Sequence, residues 1–138
     1  MFFDNGFGRS MDILHRTMDV NLLRRDVIAN NIANADTPNF KRSAVNFETQ
    51  LRDALENPRE PRFAAALTNE KHIPFRQPMH YQDVRPTRFL DTQTTAKNNG
   101  NNVDIEQESM NLLNNELMYT LLTNSISSQL SRVNLVLR

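Results

Sequence analysis

Two stretches of the chain carry a helical repeat of apolar residues, and they lie at its two ends. From Ser10 onward Ile13, Leu14, Met18, Leu22, Leu23, Val27, Ile28 and Ile32 recur at three- and four-residue steps. That repeat predicts an amphipathic helix with Ser10 or Asp12 as its cap. Ile13, Val20 and Val27 stand one heptad apart, the spacing of a helix that packs along another helix. Near the other end Ile105, Leu112, Tyr119, Ile126 and Val133 also fall seven apart, flanked by Leu113, Leu117, Leu121, Leu122, Leu130 and Leu137. Neither Pro nor Gly interrupts residues 104–138, which predicts one continuous helix. Asp104 and Gln107 have capping-box spacing, with Asp in the usual Ser/Thr place. Asp104, Glu106 and Glu108 put acid at the start of this helix, and Arg132 and Arg138 put base at its end, as the helix dipole favours.

Between the ends the pattern weakens. Phe47, Leu51 and Leu55 at i, i+4 and i+8 predict a short helix over residues 43–57, stopped by Asn57-Pro58. Residues 58–102 hold no sustained period of 3.6 or 2, and all six prolines lie between Pro38 and Pro86. So long an aperiodic stretch is expected to be irregular or to be ordered by neighbours. Phe63, Ile73, Phe75, Tyr81 and Phe89 favour partial ordering. Asn98-Asn99-Gly100-Asn101-Asn102 reads as a flexible junction, and residues 1–9, with Phe2, Phe3 and Phe7 beside Gly6 and Gly8, as a flexible terminus. The divisions expected are thus 1–9, a helix and turn over 10–42, a short helix with an irregular middle over 43–102, and a helix over 103–138.

Length decides the fold class. A helix over residues 104–138 runs about 50 Å, whereas a compact chain of 138 residues has a radius of gyration of only roughly 14 Å. The chain cannot wrap such a helix. The expectation is a mainly α protein: an elongated, coiled-coil-like pair of long terminal helices forming one axial domain, with a Pro-rich, largely irregular middle. Its unshielded stripes predict association through Ile13, Val20, Leu23 and Val27 of the first helix. From the second helix they add Ile105, Leu112, Leu117, Tyr119, Leu121, Ile126, Leu130 and Val133.

Composition removes alternatives. Hydrophobic residues make up 38% of the chain, below the roughly 45–50% of an ordinary globular domain. Net charge is +0, without the basic excess of a nucleic-acid binder. There is no cysteine, which rules out disulfides and thiolate metal sites. His15, His72 and His80 lack metal-ligand spacing, and the carboxylates are spread along polar faces. No G-x-S-x-G, G-x-G-x-x-G or Walker loop occurs, so no catalytic, metal or cofactor residue is expected, and the chain is read as no enzyme. Residues 1–10 lack the basic and apolar regions of a secretory signal, and no apolar run approaches the roughly 20 residues of a membrane span. Those features alone point to the cytoplasm.

The stretch from Ala29 to Arg42 is the most specific. Ala29, Ile32 and Ala33 extend the apolar face of the first helix, while Asn30, Asn31 and Asn34 add amides densely, followed by Ala35. Pro38 biases Thr37 away from the α region, so the helix is expected to end at or before Asp36, with Asp36-Thr37 bonding nearby amides as a turn. Phe40 follows as an apolar anchor, and Lys41 and Arg42 return to solvent.

This string resembles the N-terminal signature of the flagellar rod and hook family, the axial proteins of the bacterial flagellum. Asn102-Val103-Asp104 leading into Glu108-Ser109-Met110 is similar to the family's C-terminal entry, though the family places Glu and Met side by side. The short length matches the family's proximal rod members. The resemblance implies a structural subunit that leaves the cytoplasm unfolded through the flagellar export apparatus and assembles in the periplasm. Its implied partners are copies of itself, the rod proteins FlgC and an FlgF-like subunit, the adaptor FliE and the MS ring. A soluble helical adaptor or export chaperone is the competing reading from another class, and FlgC itself the rival within the family.

Overall fold

The structure, a computed structural model, describes residues 5–56, 68–69, 71–72, 79–92, 94 and 100–137. Helix α1 spans Gly6–Ala33, strand β1 Ser43–Asn46, helix α2 Glu48–Glu56, strand β2 Thr87–Leu90 and helix α3 Ile105–Val136; a 3-10 turn, Tyr81–Asp83, precedes β2. The chain forms two compact units, Met1–Val45 with Arg88–Arg138, and Asn46–Thr87. The fold is mainly helical, as the apolar repeats require, with a long helix at each end.

α1 begins earlier than the periodicity indicates. The Asn5 side chain accepts from the Gly8 amide at 2.8 Å, so Asn5, not Ser10 or Asp12, is the cap. A good cap outweighs the weak helix propensity of two glycines in the first turn. Residues 6–9, expected to be flexible, are therefore helical; Phe2 and Phe3 lie outside the described residues. Asp12 pairs with Arg16 at 3.0 Å across one helical turn. The helix ends at Ala33, ahead of Asp36 as Pro38 demands, and at about 1.5 Å per residue it is about 42 Å long.

α3 is about 48 Å long by the same rise per residue. The Asp104 carboxylate accepts from the amides of Glu106 at 3.0 Å and Gln107 at 3.5 Å, the capping expected of it. The basic end differs from expectation. No basic residue lies in the last described turn, Arg132 sits ahead of it, and Arg138 is outside the described residues.

α1 and α3 pack against each other antiparallel. Ser10 meets Gln129, Asn21 meets Asn115 and Asn31 meets Glu108, so one helix rises as the other descends. Val20, Val27 and Ile28 are the buried apolar residues of α1. On α3 the half-buried residues facing this seam are Leu112, Tyr119, Leu122, Ile126 and Val133; Ile105, the first of the heptad, is instead exposed.

The short helix expected over residues 43–57 splits in two. Ser43–Asn46 is a strand paired with β2, and only Glu48–Glu56 is helical, with the Leu51 amide bonded to the Phe47 carbonyl at 2.9 Å. In this second unit Phe47, Ala54, Tyr81 and Val84 are buried, and α2 packs on the 3-10 turn. Tyr81 is thus ordered as expected, whereas Phe89 is exposed on β2; Phe63, Ile73 and Phe75 lie outside the described residues.

Candidate assembly interface

The Ala29–Arg42 stretch forms a polar clasp around the start of α3. Asn31 is fully buried, and its side chain makes a two-point bond to Ser43: its Nδ2 donates to the Ser43 carbonyl at 2.8 Å, and its Oδ1 accepts from the Ser43 amide at 3.0 Å. A side-chain amide thus serves Ser43 as a neighbouring strand would, which explains why residues 43–46 are extended and not helical. The same Nδ2 donates to Glu108 Oε2 at 3.0 Å. Arg42 Nε donates to Glu108 Oε1 at 2.6 Å, and Asn111 Nδ2 reaches that oxygen at 3.3 Å. Glu108 is only 1% exposed. It is the carboxylate that sequence reasoning missed, because its charged neighbours Glu106 and Asp104 are exposed and made it look like one more residue of an acidic first turn.

Three amides hold the other side of the clasp. The buried Asn101 donates to the Ala35 carbonyl at 2.7 Å and the Thr37 carbonyl at 3.0 Å, satisfying groups left open where α1 stops. Asn102 accepts from the Arg42 amide at 2.7 Å and donates to the Asp91 carbonyl at 2.7 Å. Asn34 bonds back to the Asn30 carbonyl at 2.8 Å and accepts from Thr37 Oγ1 at 3.3 Å. The turn itself runs through Thr37 amide to Asn34 carbonyl and Phe40 amide to Thr37 carbonyl, with Asn39 left-handed at φ 59°.

Several expectations for this stretch are corrected. Ala29 and Ala33 are exposed and do not extend the buried face; Asn31 and Ala35 are the buried members, with Ile32 and Phe40 half-buried. Asn30, Asp36, Thr37 and Pro38 are exposed. Lys41 and Arg42 return only partly to solvent: Lys41 Nζ donates to the Gly100 carbonyl at 3.0 Å and Arg42 is engaged by Glu108. Asn101 and Asn102, expected in a flexible junction, are buried, as is Val103; Asn98 and Asn99 lie outside the described residues. Dense Asn was the visible signal, since buried amides in such number need partners at a fixed place.

Beyond the clasp, α3 presents apolar residues on both sides. Leu112, Tyr119, Ile126 and Val133 look toward α1, as Ile13, Val20 and Val27 look toward α3. Met110, Leu113, Leu117, Leu121 and Leu130 point outward, with Leu117 56% and Leu121 64% exposed. Leu23 on α1 is also exposed. At the far end an open cleft of about 470 Å³ is lined by Phe7, Ser10, Gln129, Arg132, Val133, Val136 and Leu137. Among the described residues no group of His, Asp and Glu is placed to hold a metal ion, and no helix is long and apolar enough to cross a membrane.

Comparison with known proteins places this geometry. The model of the family described as flagella basal body rod protein matches residues 11–41, the part of α1 and the turn that build the clasp. The chain is 45% identical over 134 residues to the flagellar basal body rod protein FlgB of Borrelia hermsii, covering 97% of this chain and 99% of that one. It is 44% identical to FlgB of Borreliella burgdorferi with the same coverage, and 30% identical to FlgB of Bacillus subtilis over 83% of this chain and 82% of the relative. A helix pair clasped at its signature turn, apolar on its outer side and matched along nearly its whole length to FlgB proteins, belongs to the FlgB family of flagellar basal body rod proteins.

Proposed function

We propose that this rod subunit is purely structural and builds the proximal rod of the basal body, packing through the outer side of α3 against further copies and neighbouring axial subunits. The observation that carries this reading is the outward row Met110, Leu113, Leu117 and Leu121, apolar and about half or more exposed on a helix whose other side already packs on α1. An exposed apolar row of that kind marks a surface for a partner to cover. The remaining interface residues named from the sequence divide accordingly: those facing the seam hold the helix pair, and Leu23, Ile105, Leu117, Leu121 and Leu130 are left for neighbours. A heterologous contact repeated by rotation and translation gives an open, rod-like assembly.

In this reading the neighbours are copies of the chain, FlgC, an FlgF-like subunit, FliE and the MS ring, in the periplasm. A soluble adaptor that buries its own apolar surface in a closed dimer is not favoured by any feature described above. Motility is the test. Replacing Leu117 by Asp is expected to leave synthesis intact and to stop rod assembly and swimming; normal swimming by that variant would sink the proposal.

A further inference from the structure

The apolar seam between α1 and α3 is nearly blind to its own register. Leu112, Tyr119, Ile126 and Val133 repeat every seven residues, as do Ile13, Val20 and Val27 opposite them. Sliding α3 by one heptad therefore replaces an apolar side chain by another apolar side chain at almost every seam position. The polar contacts behave differently. Asn115 Nδ2 donates to the Asn21 carbonyl at 2.9 Å, and Glu108 holds Asn31 at 3.0 Å and Arg42 at 2.6 Å. Glu108, Asn31, Asn21 and Asn115 are all buried.

Each heptad slip breaks this set. Moved one way, Asn115 takes the place of Glu108 and Leu122 the place of Asn115. Arg42 then faces an amide, and the Asn21 carbonyl, bonded within α1 already, loses its second donor. Moved the other way, the Glu108 carboxylate arrives at the Asn21 carbonyl, acceptor against acceptor. Buried polar groups without partners are costly, whereas apolar mismatches of similar size are not. We propose that Asn31, Arg42 and Glu108, aided by Asn21 and Asn115, form a register key: they select one antiparallel alignment of the terminal helices from several that the apolar seam accepts equally. The device is carried by the buried polar set alone and does not depend on what the outer face of α3 binds.

The chain has no cysteine, so disulfide trapping reads the register directly. Ser10 and Gln129 touch across the seam at 3.5 Å, far from the key, and a one-heptad slip brings residue 122 or 136 to the place of Gln129. In the purified full chain, Ser10→Cys with Gln129→Cys is expected to oxidise at least roughly tenfold faster than Ser10→Cys with Leu122→Cys or Val136→Cys, the least ratio that even one unmet buried polar group produces. Adding Asn31→Leu and Glu108→Leu should keep the helical circular dichroism and bring the three rates together. An unchanged ratio in that background overturns the proposal. So does equal oxidation of the three pairs in the parent chain. Loss of helicity in the Leu variants would assign the cluster to stability and not to register, and Glu108→Gln then decides. With its shape kept and its charge gone, Glu108→Gln must lower the ratio at full helicity, and failure to do so overturns the proposal.

Discussion

Arg42 and Glu108 share one ion pair but not one environment. The carboxylate side chain is 1% exposed, whereas the arginine side chain keeps 26% of its surface in water. Removing the arginine strands a buried charge; removing the charge leaves a guanidinium that water still reaches. Arg42→Met is therefore expected to cost about 3 kcal/mol and Glu108→Gln only about 1 kcal/mol. Urea unfolding of the two variants checks the order, and equal losses would mean that the pair is hydrated. The turn below has its own asymmetry. Gly100 has φ +76°, and an added Cβ would lie 3.0 Å from Asn39 Oδ1. Asn39 is itself left-handed at φ 59°. Gly100→Ala should cost about 1 kcal/mol, while Asn39→Gly should be near neutral, since Asn tolerates the left-handed region and the greater unfolded-state freedom of Gly offsets what it gains there. A thermal melt that ranks the two variants in reverse would contradict this account.

At the scale of elements, the N-cap of α3 is the simplest lever. Asp104 accepts from two amides of the first turn, and Asp104→Ala is expected to lower stability by about 1 kcal/mol, with Asp104→Ser restoring most of it. Circular dichroism during denaturation reads both. This cap was legible in the sequence because it combined an Asp, an acidic first turn and an apolar repeat that agreed with each other. α1 was legible for the same reason over residues 10–33, and its end was set by Pro38. Its start was not, since Asn5 stands before two glycines and the local propensity argues against a helix there. β1 was misread because Phe47, Leu51 and Leu55 have helical spacing. Nothing near Ser43 announces that Asn31, twelve residues earlier, will bond both its amide and its carbonyl. Glu108 was hidden in the same way. The dense amides of the clasp were visible, but the partners that tie Asn31 to Glu108, Asn101 to Ala35 and Asn102 to Arg42 lie 60 and more positions apart in the chain, and periodicity carries no information about such pairings.

At the scale of the molecule, the proposed function has the two sides of α3 separate folding from assembly. Leu112 is half-buried toward α1, and Leu121 is 64% exposed on the opposite side. A charge placed at either position is expected to break rod formation, but for different reasons. Leu112→Asp sets a carboxylate into the helix seam and should destabilise the isolated chain by about 2–3 kcal/mol. Leu121→Asp exchanges one solvated side chain for another, so the chain's own stability should stay within about 0.5 kcal/mol of the parent. Both variants should leave cells non-motile, and only the first should unfold earlier in urea. A large stability loss in Leu121→Asp would show that the outer row is packed within the chain itself, leaving no apolar face for a neighbour. Matching behaviour of the parent and Leu121→Asp in urea, together with lost motility, would tie that row to assembly alone. The seam and the outer row are then separate surfaces of one helix, the first spent on the subunit's own fold and the second on the rod.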